Sequence, residues 1–459
     1  MVCSEKETEI TIAARENAYM FLDGEEYTLK IFPIDEDADS YAYPPASGTI
    51  MTVTAKDGVL RFNYFFKGEQ EYNIALSKNG VHMQMLVLFS VKEDLYDLRP
   101  LKGDLHVHSR RSDGKRDPAA VAGYFRENGY DFLFLTDHNR YYPSKEAQDA
   151  YKDVKLGIAI LNGEEIHAPE SVVHMVHVGG KESVADIYVH DNERYERELS
   201  ELEAEIPADL PEKYRYRYVR VMWASREVHR VGGLLIYPHP YWRMGSKTHN
   251  SCNELRVLFQ KSGLFDAYEL IGGMGQMGNN MSVAAWQELR AEGYNINVVG
   301  SSDVHEMDDS FGGHFSIVFA KGNDRESILE AVKNGLSVAV EADGEGKNRQ
   351  YRCYGSLRLV TYTQFLLRNY FNKTCQIAEG EGVAMRRYLV GEEDGALLSA
   401  MADRVDRFYG QFFGRTAAPV PSKERLAFEA KWREVHANGP LTRGSFIKLY
   451  DDKHNVRQD

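Results

Sequence analysis

The sequence predicts a multidomain α/β protein: an antiparallel β-sandwich first, a barrel of alternating strands and helices in the centre, and a helical extension last. Three observations carry this. The chain has 459 residues, enough for two to four domains of ordinary size. Its rhythm changes near Leu101 from closely spaced strands to strand-then-helix units. Histidine is concentrated in the middle, with 12 of the 15 lying between His106 and His314.

The first part reads as β structure because apolar residues alternate in Glu9 to Ala14, Tyr27 to Phe32, Thr49 to Thr54 and Val59 to Phe66. Lys56-Asp57-Gly58 and Asn79-Gly80 are hairpin signals, and the apolar run Met83 to Val91 follows the second. Six to eight such strands suit a sandwich over 1–98. In the central part, 99–343, strands are expected at Gly103 to Val107, Asp131 to Leu135, Leu156 to His167, Leu234 to Tyr237, Asp266 to Ile271 and Ile296 to Val299. Helices are expected at Pro118 to Glu127, where Asp117 can cap and Pro118 loses no needed donor, and at Met281 to Ala291. Alternation of this kind implies a parallel sheet or barrel. A charged, helix-rich insertion interrupts it at 181–230, with Glu193 to Glu205 as one solvated helix. Beyond Glu341 the strand signals fade, and Leu397, Leu398, Met401, Val405, Phe408 and Phe412 recur at helical spacing, giving a helical extension over 344–459.

Composition excludes several classes. Hydrophobic residues at 43% and charged ones at 27% are ordinary for a globular protein, not a disordered or fibrous one. A net charge of −14 gives no global field for nucleic acid or an anionic membrane, so an anionic substrate must be held locally. No apolar run approaches the roughly 20 residues of a membrane span. MVCSEKETEI lacks the charged start and apolar stretch of a secretory signal, so the cytoplasm is the expected compartment. Cys3, Cys252, Cys353 and Cys375 show no CxxC spacing and read as reduced thiols.

The chemistry lies where histidines and acids meet strand ends: Asp104-Leu105-His106-Val107-His108, Thr136-Asp137-His138, Pro238-His239 and Ser302-Asp303-Val304-His305. At the C-terminal ends of barrel strands such residues converge. Residues i and i+2 on a strand share a side, so His106 with His108, and Asp303 with His305, each offer two ligands to one place. Crowding these groups together without an ion is costly, whereas metal ions satisfy them. Asp113 reaches the cluster if Gly114 permits a tight turn. In Gly163-Glu164-Glu165-Ile166-His167 the two glutamates face opposite sides, and in the strand around His174 and His177 the two histidines do likewise, so parity alone selects neither histidine. A donor set of imidazole and carboxylate without thiolate suits zinc, manganese or iron.

In this order, with Gly163-Glu164-Glu165, Pro238-His239-Pro240 and Glu269, the motifs of residues 101 to about 340 resemble the PHP (polymerase and histidinol phosphatase) superfamily of metal-dependent phosphoesterases. The resemblance covers about half the chain and leaves both flanks unexplained. It implies a distorted (β/α)7 TIM-like barrel holding two or three divalent ions. The implied ligands are His106, His108, Asp113, His138, Glu165, His174 or His177, His239, Asp303 and His305, with His106, His108, Asp303 and His305 also carried as catalytic. Glu165 occupies the family's bridging position, and Asp137 and Glu269 are implied to orient ligands. The implied activity is hydrolysis of a small phosphomonoester or phosphodiester by a metal-activated hydroxide. Arg110, Arg111, Arg116 and Arg243, with Lys115 and Arg140, are candidates to hold substrate phosphate. An amidohydrolase-type reaction and a metal-stabilised binding or regulatory scaffold are the alternatives. A short oligonucleotide or nucleotide is the one form of nucleic-acid partner compatible with the charge.

Overall fold

A computed structural model describes residues 1–14, 20–35, 47–244, 247–248, 251–307, 311–344 and 348–435. The chain divides into two compact units: Met1–Tyr96 together with the residues from Gly410 onward, and Asp97–Tyr409.

The first unit begins with β1 (Val2–Cys3), β2 (Lys6–Ala13), β3 (Glu26–Pro33), β4 (Thr49–Thr54), β5 (Val59–Phe66), β6 (Gln70–Lys78) and β7 (Val81–Val91). A five-stranded sheet, ordered β1-β7-β6-β3-β4, accompanies the antiparallel pair β2-β5. Both expected turns form with positive φ at each central residue, Asp57-Gly58 and Asn79-Gly80, as tight hairpin connections require. Alternation places Tyr27, Leu29 and Ile31 of β3 in a core with Leu60, Phe62, Phe66, Tyr72 and Ile74.

The second unit carries a ten-stranded, mixed, nearly closed sheet. After α1 (Glu93–Tyr96), which closes the first stretch of the first unit, its elements are β8 (Arg99–Asp104), α2 (Pro118–Glu127), β9 (Phe132–Leu135), α3 (Tyr142–Ala150), β10 (Ala159–His167), β11 (His174–Val178), α4 (Ala185–His190), α5 (Asn192–Leu202), α6 (Glu212–Arg230) and β12 (Leu234–Tyr237). There follow the short hairpin β13 (Arg243–Met244) and β14 (Lys247–Thr248), then α7 (Asn253–Ser262), β15 (Ala267–Ile271), α8 (Gly275–Ala291), β16 (Val298–Gly300), β17 (His314–Ala320), α9 (Arg325–Lys333), β18 (Ser337–Asp343) and β19 (Gln350–Tyr354). The strand order is β16-β15-β12-β11-β10-β9-β8-β17-β18-β19. Beyond β8 and β16 the chain approaches itself again: Val107 and Val304 form a parallel bridge, and the His108 amide donates to the Val304 carbonyl at 3.1 Å. One buried cluster joins Leu101, Phe132, Val176, Leu234, Ala267 and Val299 to Ile328 and Val332 of α9.

Three expectations change. The sheet is not purely parallel, because β11 runs antiparallel to both β10 and β12. The link between β10 and β11 is too short for the helical crossover that parallel neighbours need. The insertion is more than a solvated surface: α5 buries Tyr195, Leu199 and Leu202, and these pack with Trp223 and Tyr188 in one core. The helical C-terminal extension is not a single body either. A strand, β19, follows Glu341, and α10 (Leu357–Leu366) and α11 (Asn372–Leu389) belong to the second unit. The unit boundary falls within α12 (Gly395–Phe412), while α13 (Lys423–Val435) belongs to the first unit, where Arg433 donates to the Met20 carbonyl at 2.9 Å. Residues 436–459 of the expected extension lie outside the described residues. Among the described residues no helix is long and apolar enough to cross a membrane.

Candidate metal centre

The site is built at the point where β8 ends. Asp104, fully buried, accepts from the backbone amides of His106 and Ser302, both at 3.1 Å, and so ties the two histidine-bearing segments together. His106 and His108 project into one space with their Nε2 atoms 3.0 Å apart. The loop that follows is gathered by the Asp137 carboxylate, which accepts from the amides of Ser109 and Ser112 (both 3.0 Å) and from their hydroxyls (2.9 and 2.7 Å). That fold returns Asp113 to the cluster. Gly114 is needed there for space: a Cβ would sit 2.7 Å from the His108 carbonyl oxygen.

Glu165 is the centre of the arrangement. One of its oxygens lies 2.8 Å from His138 Nδ1, 3.3 Å from His106 Nε2 and 3.4 Å from His108 Nε2. The other lies 2.9 Å from His174 Nδ1, 3.2 Å from His239 Nε2 and 3.6 Å from His167 Nε2. Asp303 faces the Nε2 atoms of His106 and His108 at 3.2 and 3.1 Å. Asp113 faces His138 and His305 at 3.3 and 3.2 Å and His108 at 3.9 Å. Glu269 accepts from the His239 amide at 3.1 Å and meets His106 Nδ1 at 3.0 Å, fixing which nitrogen of that ring faces the cluster. His239 and Asp303 both hold positive φ, 25° and 51°, a conformation that few non-glycine residues adopt.

The register of β10 against β11 separates the two histidines that parity left open. His167 pairs with His174 and Glu164 pairs with His177, so His174 shares a face with Glu165 while His177 does not. His177 instead meets Glu164 at 3.0 Å, and Glu164 accepts from the amides of Val184 and Ala185 at the start of α4. His177 therefore leaves the candidate set. His167 enters it, its ring stacked on His174 (centroids 3.8 Å apart) and tilted against His138 (4.3 Å). The signal for it was available: Glu165 and His167 are two apart on one strand, the spacing already used for His106 and His108.

The expected phosphate-binding arginines fare unevenly. Arg110 is paired with Asp117 at 2.5 Å, which also leaves Asp117 making no side-chain cap on α2. Arg111 forms a two-pronged pair with Glu146 at 2.8 and 2.7 Å. Their charges are spent within the fold. Arg116 lies over the Tyr124 ring and Arg243 against the thioethers of Met277 and Met281, and neither meets a carboxylate among the described residues.

Electrostatically the cluster is a set of charges removed from water. Burial opposes protonation of His106, His108, His138, His174 and His239, and it prevails at His108, which falls, and at His174, which is pushed down to about 4. At His106, His138 and His239 burial is outweighed by the facing carboxylates, with Asp303 first for His106 and Glu165 first for the others, and all three rise. Burial also opposes ionisation of Glu165 and Asp303, yet the imidazoles, His106 foremost, hold both carboxyls well below the ordinary range.

Protons alone do not satisfy this geometry. A carboxylate offers about four lone-pair positions, and Glu165 faces six imidazole nitrogens. Glu165 Oε2, His138 Nδ1 and His167 Nε2 are buried without a hydrogen bond despite their closeness. Divalent cations fit such a nitrogen and oxygen donor set. The ligand atoms fall into overlapping groups, each within 4.8 Å: His108, Asp113, His138 and His305; His106, His239 and Asp303; His106, His108 and Glu165; His138, Glu165 and His167; and Glu165, His174 and His239.

No protein-family model matches the chain, and no curated protein does. Solved structures similar to it include a two-domain protein of Bacteroides vulgatus containing a predicted PHP-like metal-dependent phosphoesterase, at 20% identity and TM-score 0.37 over 56% of this chain and 76% of that one. A candidate metal-dependent phosphoesterase of Bifidobacterium adolescentis matches at 17% identity and TM-score 0.31, over 44% and 87%. An amidohydrolase of Chromobacterium violaceum with bound sulfate matches at 20% and 0.30, over 45% and 88%. These similarities are distant.

Proposed function

We propose that the second unit is a metal-dependent hydrolase of the PHP type that cleaves a small phosphomonoester or phosphodiester, with two or three zinc, manganese or iron ions held by His106, His108, Asp113, His138, Glu165, His174, His239, Asp303 and His305. The observation that carries the reading is Glu165, with its two oxygens facing three imidazole nitrogens each. Bound ions would supply the positive charge that acidifies water and neutralises the oxygens of a transferring phosphoryl group.

The residues themselves define the approach. His106, His108 and Glu165 are fully buried, whereas Asp113 is exposed and His138 and His305 are partly so. Substrate therefore reaches the cluster on the Asp113, His138 and His305 side. His305 Nδ1 is engaged by the Asp303 carbonyl at 2.9 Å, leaving Nε2 to face the site. Glu269 and Asp137 orient, and of Arg110, Arg111, Arg116 and Arg243 the last two are the ones able to take a substrate phosphate.

The test is hydrolysis of phosphomonoesters and phosphodiesters after manganese or zinc loading, comparing the wild type with Asp303→Asn and His106→Ala. Disturbing groups that only support ligands costs about 10- to 100-fold, so losing a direct ligand should cost at least about 100-fold. Metal-loaded wild type that cleaves amides but no phosphoester would transfer the assignment to amidohydrolase chemistry. Metal retention with no hydrolysis at all would favour a binding scaffold.

A further inference from the structure

We propose that Asn139 and Tyr188 are positioning residues that set the His138–Glu165–His167 metal position, coupling helix α4 of the insertion to how many ions the centre holds. The inference rests on the metal reading above, though not on the phosphoester reading.

Asn139 follows His138 directly and lies against the strand that carries both Glu165 and His167. Its amide donates to the Glu165 carbonyl at 2.8 Å, extending the parallel bridge between His138 and Glu165. Its side chain then grips the end of β10: Oδ1 accepts from the His167 amide at 2.7 Å, and Nδ2 donates to the His167 carbonyl at 3.4 Å. One residue thus fixes the spacing of three donors that lie within 4.8 Å of one another. The same Oδ1 accepts from the Tyr188 hydroxyl at 2.6 Å, and Tyr188 belongs to α4. The Tyr188 ring is buried against Tyr195 and Trp223, so it is anchored by the packing of the inserted helices. His167 lies outside the set that the PHP resemblance implies, and its Nε2 is buried without a hydrogen bond, facing Glu165. A seventh imidazole held this carefully has a clear use as a ligand, and an imidazole ligand depends on whatever holds its backbone and ring.

Asn139 has φ of 52°, so alanine would add strain of its own, while glycine removes the side chain at no conformational cost. The experiment therefore uses the full chain with Asn139→Gly, Tyr188→Phe and the double variant. Metal is stripped with chelator, zinc or manganese is titrated back calorimetrically, and bound metal is counted by mass spectrometry after desalting. The expected result is a wild-type stoichiometry from which each variant loses one equivalent, or binds its last equivalent about 10- to 100-fold more weakly. The double variant should lose no more than the worse single one, because the two groups act in series. The lost hydrogen bonds should lower the metal-free melting temperature modestly, without weakening the other equivalents. Variants that take up every equivalent with wild-type affinity overturn the proposal. So does weakening of all equivalents together with a lower metal-free melting temperature, the mark of a purely structural role. A wild type that binds no metal overturns both this inference and the proposed function, whereas one that binds metal but hydrolyses nothing fails only the proposed function.

Discussion

His106 and His108 were legible from their spacing alone, because two-residue periodicity is a local property of an extended chain. The choice between His174 and His177 was not, since it depends on which residue of β10 stands opposite, and register is a property of two segments together. The structure makes that choice testable: His174→Ala should lower bound metal, while His177→Gln, whose side chain faces Glu164, should leave the count unchanged by metal analysis. Lys102 was invisible for a similar reason. On β8 it is buried over the rings of Tyr130 and Phe315 and donates to the Asn128 carbonyl, and burial pushes its pKa down to about 8. A lysine depressed in the fold binds fewer protons there than in the unfolded chain at pH values between about 8 and its ordinary 10.4, so stability rises with pH across that window. Relative to Lys102→Met, wild type should gain up to about 3 kcal/mol from pH 8 to 10.4 in denaturant unfolding. A flat difference would mean that the ammonium is better solvated than its surroundings indicate.

Among the elements, the strand and helix rhythm was readable where an apolar run was strong, as at β9, β12 and β15, or where a proline opens a helix, as at α2. Strand direction was not readable, because an apolar run such as His174–Val178 reads the same either way and only the short preceding link decides. The reach of the barrel unit past Glu341 was also hidden. What retains α11 there is a buried pair: Arg126 of α2 donates to Glu381 at 2.6 Å, both side chains are inaccessible to water, and Glu381 also accepts from the Gly157 amide at 2.5 Å. Glycines allow this approach, since a Cβ on Gly382 would lie 2.1 Å from the Glu127 nitrogen. Glu381→Leu should strand the guanidinium and cost about 3 to 5 kcal/mol in urea unfolding, toward the lower figure because Asp131 remains 3.5 Å away. The bound-metal count should not change, since neither residue touches the cluster.

For the whole molecule, composition and rhythm led to an expected division into 1–98, 99–343 and 344–459, whereas the chain divides into two units, one of which pairs α13 with the first strands. No local pattern announces that α13 belongs with strands laid down at the start. Its contacts are specific all the same: Arg433 reaches the Met20 carbonyl, and a Cβ on Gly58 would meet Leu426 and Pro421 at 3.0 Å. A chain ending at Tyr409 should therefore keep its full metal count while the unfolding transition of the first unit moves to lower denaturant, seen as two separated transitions. This arrangement also orders events during synthesis. At about 5 to 20 residues per second, the first strands leave the ribosome on the order of tens of seconds before α13 exists. Until then the early strands lack the contacts that Arg433 and Leu426 supply, while the barrel folds between the two parts of the first unit. A nascent chain stalled short of α13 should thus engage holding chaperones through its N-terminal strands, and release them only when α13 is made.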